Sequence, residues 1–186
     1  DDHGWQRIAY RSLGTVAQPT PGSALEVAEP FERERPGQAR RTPGIHLLAV
    51  ADLAPDRAKA SLLRVGWEAA RLGAAGFDEA VKNGTTFLTD DAAAAIAYPA
   101  TEVVIDATGS PSAGIRHVLA CCSAGKHIVM VNVEADVVAG PLLARKARAA
   151  GVVYSLAWGD QPALICEHVD WARAAGFRVV AAGKGT

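Results

Sequence analysis

The chain has 186 residues, a formal net charge of −1 at pH 7 and a hydrophobic content of 49%. A charge near zero gives no basic surface for nucleic acid or for an anionic membrane. No apolar run reaches the roughly 18 residues that a membrane span needs, and the polar start lacks the apolar segment of a secretory signal. We therefore expect a cytoplasmic protein with no nucleic-acid or membrane partner.

Residues 1–43 differ in composition from the rest of the chain. Half of the prolines fall in this segment, and charged residues cluster in the stretch FERERPGQARR. No window in it shows strand alternation or sustained helical periodicity. We predict that residues 1–43 are an atypical segment that is disordered or loosely attached.

Beyond residue 44, short apolar runs alternate with helical patterns, which is typical of βαβ units and a parallel sheet. Because the apolar runs are rich in valine and isoleucine and hardly alternate, the strands should be covered on both faces. The sequence predicts an α/β protein with a Rossmann-like doubly wound parallel sheet over residues 44–186. The predicted strands are residues 45–51, 103–107, 127–131, 152–156 and 178–182.

Helix boundary signals agree with this arrangement. The dipeptides at 110–111 and 140–141 each place a proline at a predicted helix start, and Gly125 and Gly151 mark the two helix ends. A last helix is predicted over residues 162–175. The three cysteines lack the spacing of a zinc site, and we predict no bound metal.

The strand at 45–51 ends on Asp52, like the second strand of a dinucleotide-binding fold, whose acid holds the adenine ribose. Such a fold also needs a first strand and a GxGxxG turn, because the pyrophosphate must approach backbone amides at a helix start. No GxGxxG occurs in the chain, and Gly14 and Gly22 follow no recognisable strand. The sequence therefore predicts that the first strand and its glycine loop are missing.

Asp52 has two open interpretations. Its carboxylate could hold two ribose hydroxyls, which would favour NAD and disfavour the 2′-phosphate of NADP. Alternatively, it could cap the helix that begins near Pro55. Arg57 could weaken a preference for NAD, although a solvated arginine on the helix face is the simpler interpretation.

Two later strands also end on polar residues. Asp106, Thr108 and Gly109 follow the strand VVI, at a position where open α/β sheets bind ligands, and Gly109 would let a nicotinamide or ribose lie against the backbone. A tight capped turn is the alternative. Asn132 could bind a carboxamide or a substrate oxygen, and Glu134 could act as an acid or base unless it is simply solvated.

Four further residues are interpreted for a catalytic, binding or structural role. Asp160 lies between a strand and a helix, where it could face the substrate or cap the helix. Lys184 could anchor a phosphate or donate a proton, or simply be exposed. Asp136 joins Glu134 as an acid or base candidate, and His117 is interpreted as structural or solvated.

The motifs VVIDATG, GKHIVMVNVEAD, GVVYSLAWGDQP and AAGKG, in this order, resemble the homoserine-dehydrogenase-like oxidoreductases that carry a SAF domain, a group that includes the DXR-like reductoisomerases. The resemblance covers residues 43–186. It implies a Rossmann domain that binds NAD or NADP and, in one branch, NADPH-dependent conversion of 1-deoxy-D-xylulose 5-phosphate to 2-C-methyl-D-erythritol 4-phosphate. The implied cofactor contacts are Asp52, Thr108, Gly109 and Asn132, and the implied substrate-side residues are Glu134, Asp160 and Lys184.

The sequence departs from this family at both ends. Members begin with a strand and a GxGxxG-type loop and continue beyond AAGKG into a catalytic and oligomerisation region, so we expect a fragment without the catalytic and SAF region. Full-length relatives could form homo-oligomers. One function is the cofactor domain of an oxidoreductase that moves hydride to or from a small polar, phosphorylated or unphosphorylated substrate, with Glu134 or Lys184 in proton transfer. The alternative is a non-catalytic nucleotide-binding module or an inactive fragment.

Overall fold

The structure is a computed structural model that describes residues 23–26, 44–157 and 161–183, with backbone only for 23–26 and 161–163. Its strands are β1 (Ser23–Glu26), β2 (Leu47–Ala51), β3 (Phe87–Thr89), β4 (Val103–Asp106), β5 (His127–Met130) and β6 (Tyr154–Leu156). Its α-helices are α1 (Pro55–Arg64), α2 (Phe77–Asn83), α3 (Ala92–Ala97), α4 (Pro111–Ala124), α5 (Val133–Ala149) and α6 (Gln161–Ala174). A 3₁₀ helix spans Ala69–Leu72.

The strands form one sheet in the order β3-β2-β1-β4-β5-β6, and every neighbouring pair is parallel. This is the strand order of the doubly wound dinucleotide-binding sheet, so the predicted α/β class and sheet type are confirmed. The strand order reverses between β1 and β4. In such sheets, ligands bind in the crevice outside the carboxyl ends of the strands at this reversal point.

The prediction that the first strand is missing is wrong. Ser23–Glu26 forms β1 in the middle of the sheet, where Ser23 is in register with Leu47 of β2 and with Val103 of β4. The strand has four residues, SALE, which is too short to show a pattern of its own. Pairing with strands on both sides therefore identifies it, and residues 27–43, where a glycine loop would follow, lie outside the described residues.

Two other strands differ from the prediction. The predicted strand at 178–182 is wrong, because these residues have no strand structure and Val180 is 81% exposed. A strand needs a neighbour for its backbone hydrogen bonds, and the sheet ends at β6. The short strand β3, which pairs with β2, was not predicted because three residues give no readable alternation.

The helix that we predicted to start at 140–141 starts earlier. Asn132 caps α5 by accepting a hydrogen bond from the backbone N–H of Ala135, and Pro141 lies inside the helix. The proline removes one helical hydrogen bond, but Val137 in the preceding turn is 76% exposed, so water can satisfy the free carbonyl. The cap at Asn132 therefore sets the start of α5, and Pro141 does not mark a helix start.

The other predicted helix ends agree with the structure. Ser110 caps α4 and Gly125, with a φ of 68°, closes it. Helix α6 is within one residue of the predicted range at each end. Within the described residues, no helix combines the length and apolar character needed to cross a membrane.

Helices cover both faces of the sheet. All five residues of β2 are buried, which explains the apolar run without alternation in the sequence. One side of the sheet packs on Leu62, Trp67 and Leu72, from α1 and the segment after it. Between β4, β5 and the helices α4 and α5, the core contains Val118, Ile128, Met130 and Leu143.

Candidate functional site

Polar residues lie at the carboxyl ends of three strands of the sheet. Asp52 follows β2, Asp106 closes β4 and Asn132 follows β5. Because all strands are parallel, these residues lie along the same edge of the sheet, and β1 separates the first from the other two. This edge is where a ligand would bind in an open α/β sheet.

Asp52 is held in place at the end of β2. Its side chain is 5% exposed, and its Oδ1 atom accepts hydrogen bonds from the backbone N–H of Ala54 at 2.7 Å and from Nη2 of Arg57 at 3.2 Å. Its own N–H donates to the carbonyl of Thr89 on β3. The cap of α1 is Ala54, which makes no side-chain cap bond, so Asp52 fixes the turn before the helix without capping it.

Arg57 lies in the first turns of α1, and its side chain is 62% exposed. The interpretation as a solvated helix-face arginine is incomplete, because the guanidinium also pairs with Asp52. A cation therefore stands at the rim of the candidate ribose site. Its exposure leaves the side chain free to change rotamer.

Asp106 is the centre of a buried hydrogen-bond network. The residue is 0% exposed. Its Oδ1 atom accepts from the N–H of Thr108 at 3.0 Å, from Thr108 Oγ1 at 2.9 Å and from Asn132 Nδ2 at 3.3 Å, while Oδ2 contacts His117 Nδ1 at 3.0 Å. Burial acts to raise the pKa of Asp106, but the hydrogen bonds from His117 and Thr108 outweigh it and hold the pKa below its ordinary value of 3.8.

Asn132 joins the turn after β4 to the start of α5. It is 1% exposed. Its Nδ2 atom donates to Thr108 Oγ1 and to the carbonyl of Ser110, both at 2.9 Å, and its Oδ1 atom accepts from the N–H of Ala135. The amide is thus engaged with the protein on both sides, and its contact with a cofactor carboxamide stays a prediction.

Gly109 forms the exposed tip of the turn after β4. Its φ of 63° lies in the left-handed region, which side chains disfavour. Among the described residues, no atom other than those of its chain neighbours lies within 4 Å of the position that a Cβ would take. The backbone at this turn is therefore open to a ligand, while Thr108 beside it is anchored to Asp106.

The acidic residues at the start of α5 have different surroundings. Glu134 is exposed in the first turn, next to the candidate ligand edge. Asp136 accepts a 2.7 Å hydrogen bond from the hydroxyl of Tyr154, and a Cβ at Gly140 would collide with its carboxylate. Burial, followed by the bond to Asp136, raises the pKa of Tyr154, so the hydroxyl stays protonated and keeps donating. Asp160 and Lys184 lie outside the described residues.

Sequence reasoning missed the role of His117, which is the partner of Asp106. A signal was present, because a carboxylate that closes a buried strand needs a partner. Arg116 and His117 are the cationic residues of the first two turns of α4, the helix that follows this strand. The sequence alone does not choose between them, and the structure does, because Arg116 is exposed whereas His117 is partly buried.

The network predicts a specific loss of stability in acid. Because the pKa of Asp106 is lower in the folded state, its contribution is complete above its ordinary pKa and is lost as the pH falls through the folded value. We expect the difference in unfolding free energy between wild type and Asp106→Asn to be constant above about pH 5 and to shrink as the pH falls from about 5 to about 2. Urea denaturation of both proteins at each pH measures this. A difference that is independent of pH would contradict the assignment.

Comparison with known proteins agrees with the geometry of the sheet and its edge. The family model of the homoserine dehydrogenase NAD-binding domain matches residues 38–156, and that of the catalytic domain of oxidoreductase DRL matches residues 159–186. No curated protein matches the chain.

Solved structures share the fold at low sequence identity. An NAD-binding oxidoreductase from Klebsiella pneumoniae has a TM-score of 0.55 and 18% identity over 86% of this chain and 40% of its own. A probable dehydrogenase from Thermotoga maritima has a TM-score of 0.53 and 16% identity over 82% of this chain and 40% of its own. This chain thus spans about 40% of the length of these two proteins.

The family match covers more than half of the chain and includes β2 to β6. It also includes Asp52, the turn at 108–109 and Asn132, and the sheet order agrees with it. The chain is an NAD-binding domain, with NAD or NADP as its cofactor. It belongs to the homoserine dehydrogenase NAD-binding domain family.

Proposed function

We propose that this chain binds NAD or NADP for an oxidoreductase that moves hydride to or from a small polar substrate. The reaction is either homoserine-dehydrogenase-like or DXR-like reductoisomerase chemistry. The second would use a phosphorylated substrate. The observation that carries the proposal is the buried carboxylate of Asp52 at the end of β2, beside the central strand β1. An acid at this position binds the adenine ribose in sheets of this order.

The described residues fit the ribose half of the cofactor. Among the described residues, both hydrogen bonds to the Asp52 carboxylate use Oδ1. Oδ2 is then the acceptor for a ribose hydroxyl. The bond from Ala54 fixes the carboxylate before the cofactor arrives, so little side-chain entropy is lost on binding.

The nicotinamide half fits the turn after β4. This turn lies across β1 from Asp52, at the reversal point of the strand order. Gly109 presents open backbone, and Asp106 and Asn132 hold Thr108 rigidly below it. The bound cofactor supplies the hydride chemistry, and these residues orient its ring and keep the turn from collapsing.

Proton transfer is assigned to residues on the substrate side of the nicotinamide. Glu134 is exposed two residues after Asn132, at the same sheet edge, and is the described candidate for the acid or base. Lys184 is the second candidate, and Asp160 is proposed to face the substrate. We further propose that residues 44–186, together with β1, act as the cofactor domain of a cytoplasmic enzyme whose full-length form is a homo-oligomer.

Replacing Asp52 tests the proposal. Asp52→Asn removes the charge that strengthens a hydroxyl hydrogen bond, so we expect affinity for NADH to fall about 10-fold to 100-fold. Nicotinamide fluorescence during titration of the purified chain measures the dissociation constant. The matched control is Asp56→Asn, an exposed acid in the first turn of α1, which should leave affinity unchanged.

A non-catalytic nucleotide-binding module is the second candidate, and the lack of a GxGxxG motif favours it. Such a module would bind cofactor weakly, because the motif brings the backbone amides to the pyrophosphate. A chain that is folded by circular dichroism but binds neither NADH nor NADPH would contradict the leading proposal. Asp52-dependent binding would support it.

A further inference from the structure

We propose that the outer face of α5 docks against the same face of a second copy of this chain, with the two helices antiparallel. We call this face the α5 stripe, and its residues are Glu134, Val138, Pro141 and Arg145. All four are exposed. The inference rests on the homo-oligomer of the proposed function, whose contact surface it names, and it does not depend on cofactor binding.

The middle of the α5 stripe is apolar although it faces solvent. Val138 is 67% exposed, and two further apolar side chains flank the stripe, Val137 at 76% and Leu142 at 48%. The helix neighbours Val138 and Pro141 continue this surface along the axis. A helix that packs on a sheet normally turns polar and charged residues outward. A contiguous apolar patch on the outward face is typical of an interaction surface.

The two ends of the α5 stripe carry opposite charges. Successive spacings of four, three and four residues place the stripe along one side of the helix. Glu134 and Arg145 are about 16 Å apart along the axis, so they cannot pair with each other within one chain. Among the described residues, neither of the two side chains makes an ion pair. Both charges can therefore pair with a partner that presents the opposite charges at the same separation.

A second copy of this chain presents those charges. The four positions of the stripe are symmetric about the midpoint between residues 139 and 140. When two copies pack antiparallel about a two-fold axis at that midpoint, Glu134 of each copy lies opposite Arg145 of the other, and the apolar middles face each other. In a parallel pairing like charges would face each other, which is unfavourable. The charge pattern therefore fits a second copy in the antiparallel orientation.

The size of the α5 stripe predicts a weak dimer. One helix from each copy gives an interface smaller than the roughly 1,200 Å² of a stable complex. Glu134 and Arg145 lie at its rim, where charges set the orientation more than the affinity. An arginine beside Glu134 also favours the charged carboxylate, so in the dimer this candidate for proton transfer is a base.

Sedimentation velocity of the whole chain at increasing concentration tests the proposal. We expect a monomer–dimer equilibrium with a dissociation constant of about 100 µM. Arg145→Glu should weaken the dimer about tenfold or more, because both ion pairs become pairs of like charge. Lys146→Glu is the matched control and should leave the dimer unchanged, because this exposed cation is turned about 100° away from Arg145.

A mixing experiment separates self-association from any other role of the face. Glu134→Arg and Arg145→Glu should each weaken self-association when present alone. An equimolar mixture should restore the dimer, because each copy then meets opposite charges at both ends. A folding defect, or a face made for a different partner, would not give this recovery, so a mixture that stays monomeric would contradict the inference.

Titration of the same samples with NADH keeps the inference apart from the cofactor proposal. If the wild type stays monomeric up to about 1 mM but binds NADH, the inference is wrong and cofactor binding stands. If the control Lys146→Glu weakens the dimer as much as Arg145→Glu does, the copies meet through another surface and the inference is wrong. Charge-dependent dimers that bind neither NADH nor NADPH would support the inference and contradict the cofactor proposal.

Discussion

Asp106→Ala is expected to lower the free energy of unfolding by about 3–5 kcal/mol. The carboxylate is fully buried and accepts hydrogen bonds from Thr108, Asn132 and His117. Its removal takes the acceptor away from the buried amide of Asn132 and from the partly buried Thr108 and His117, and it breaks a pair between an acid and a histidine. Urea denaturation followed by circular dichroism measures the loss.

Asp91→Ala is the matched control for this substitution. Asp91 is also an aspartate that accepts a backbone hydrogen bond, from Ala94, but it is exposed at the start of α3. Loss of such a cap costs about 1 kcal/mol. Equal losses for the two variants would show that the buried network adds nothing beyond one ordinary hydrogen bond.

Gly114→Val is expected to destabilise the protein by about 3 kcal/mol or more. Gly114 lies where α4 crosses the start of α5, and a Cβ there would be 2.5 Å from Asn132 Nδ2 and 2.7 Å from the Cβ of Ala135. Neither neighbour can withdraw, because Asn132 is held by its hydrogen bonds and Ala135 is 0% exposed. The free energy of unfolding from urea denaturation measures the effect.

Ser112→Val supplies the comparison in the same helix turn. Ser112 is exposed and its hydroxyl lies 3.4 Å from that of Ser110, so valine there gives up one long surface contact and changes helix propensity by only a few tenths of a kcal/mol. A Gly114→Val protein as stable as Ser112→Val would mean that α4 and α5 can separate without cost. It would then also weaken the view that Asn132 fixes the turn at 108–109.

The parts of the fold that could be predicted are those with a strong local signal. Strand β2 stands out as a continuous apolar run, β4 and β5 stand out through their valine and isoleucine residues, and α4 stands out through Ser110, Pro111 and Gly125. Strand β1 could not be predicted, because its place depends on hydrogen bonds to β2 and β4 that come from distant parts of the chain. The start of α5 was misplaced because the proline signal was weighed above the Asn132 cap.

The sequence predicts where the candidate site residues lie in the sheet, but it does not predict which residues they contact. Strand ends can be read from the sequence, so it predicts that Asp52, Thr108, Gly109 and Asn132 follow strands of the sheet, while their contact with a cofactor stays a prediction. The partners of these residues lie on other elements, and no local pattern reveals them. The clearest example is His117, whose bond to Asp106 joins a helix to the strand before it.

The central position of β1 has a consequence for how the sheet assembles. Strands β2 and β3 make one half of the sheet and β4, β5 and β6 make the other, and β1 is the piece that joins them. Its pairing with β4 links Ser23 to Val103, across a large part of the chain. Contacts between residues so distant in sequence form slowly, because closing the intervening loop costs entropy before any pairing stabilises it. We therefore expect β1 to pair with β4 later in folding than the strands on either side pair with each other, so that the two halves of the sheet edge come together late.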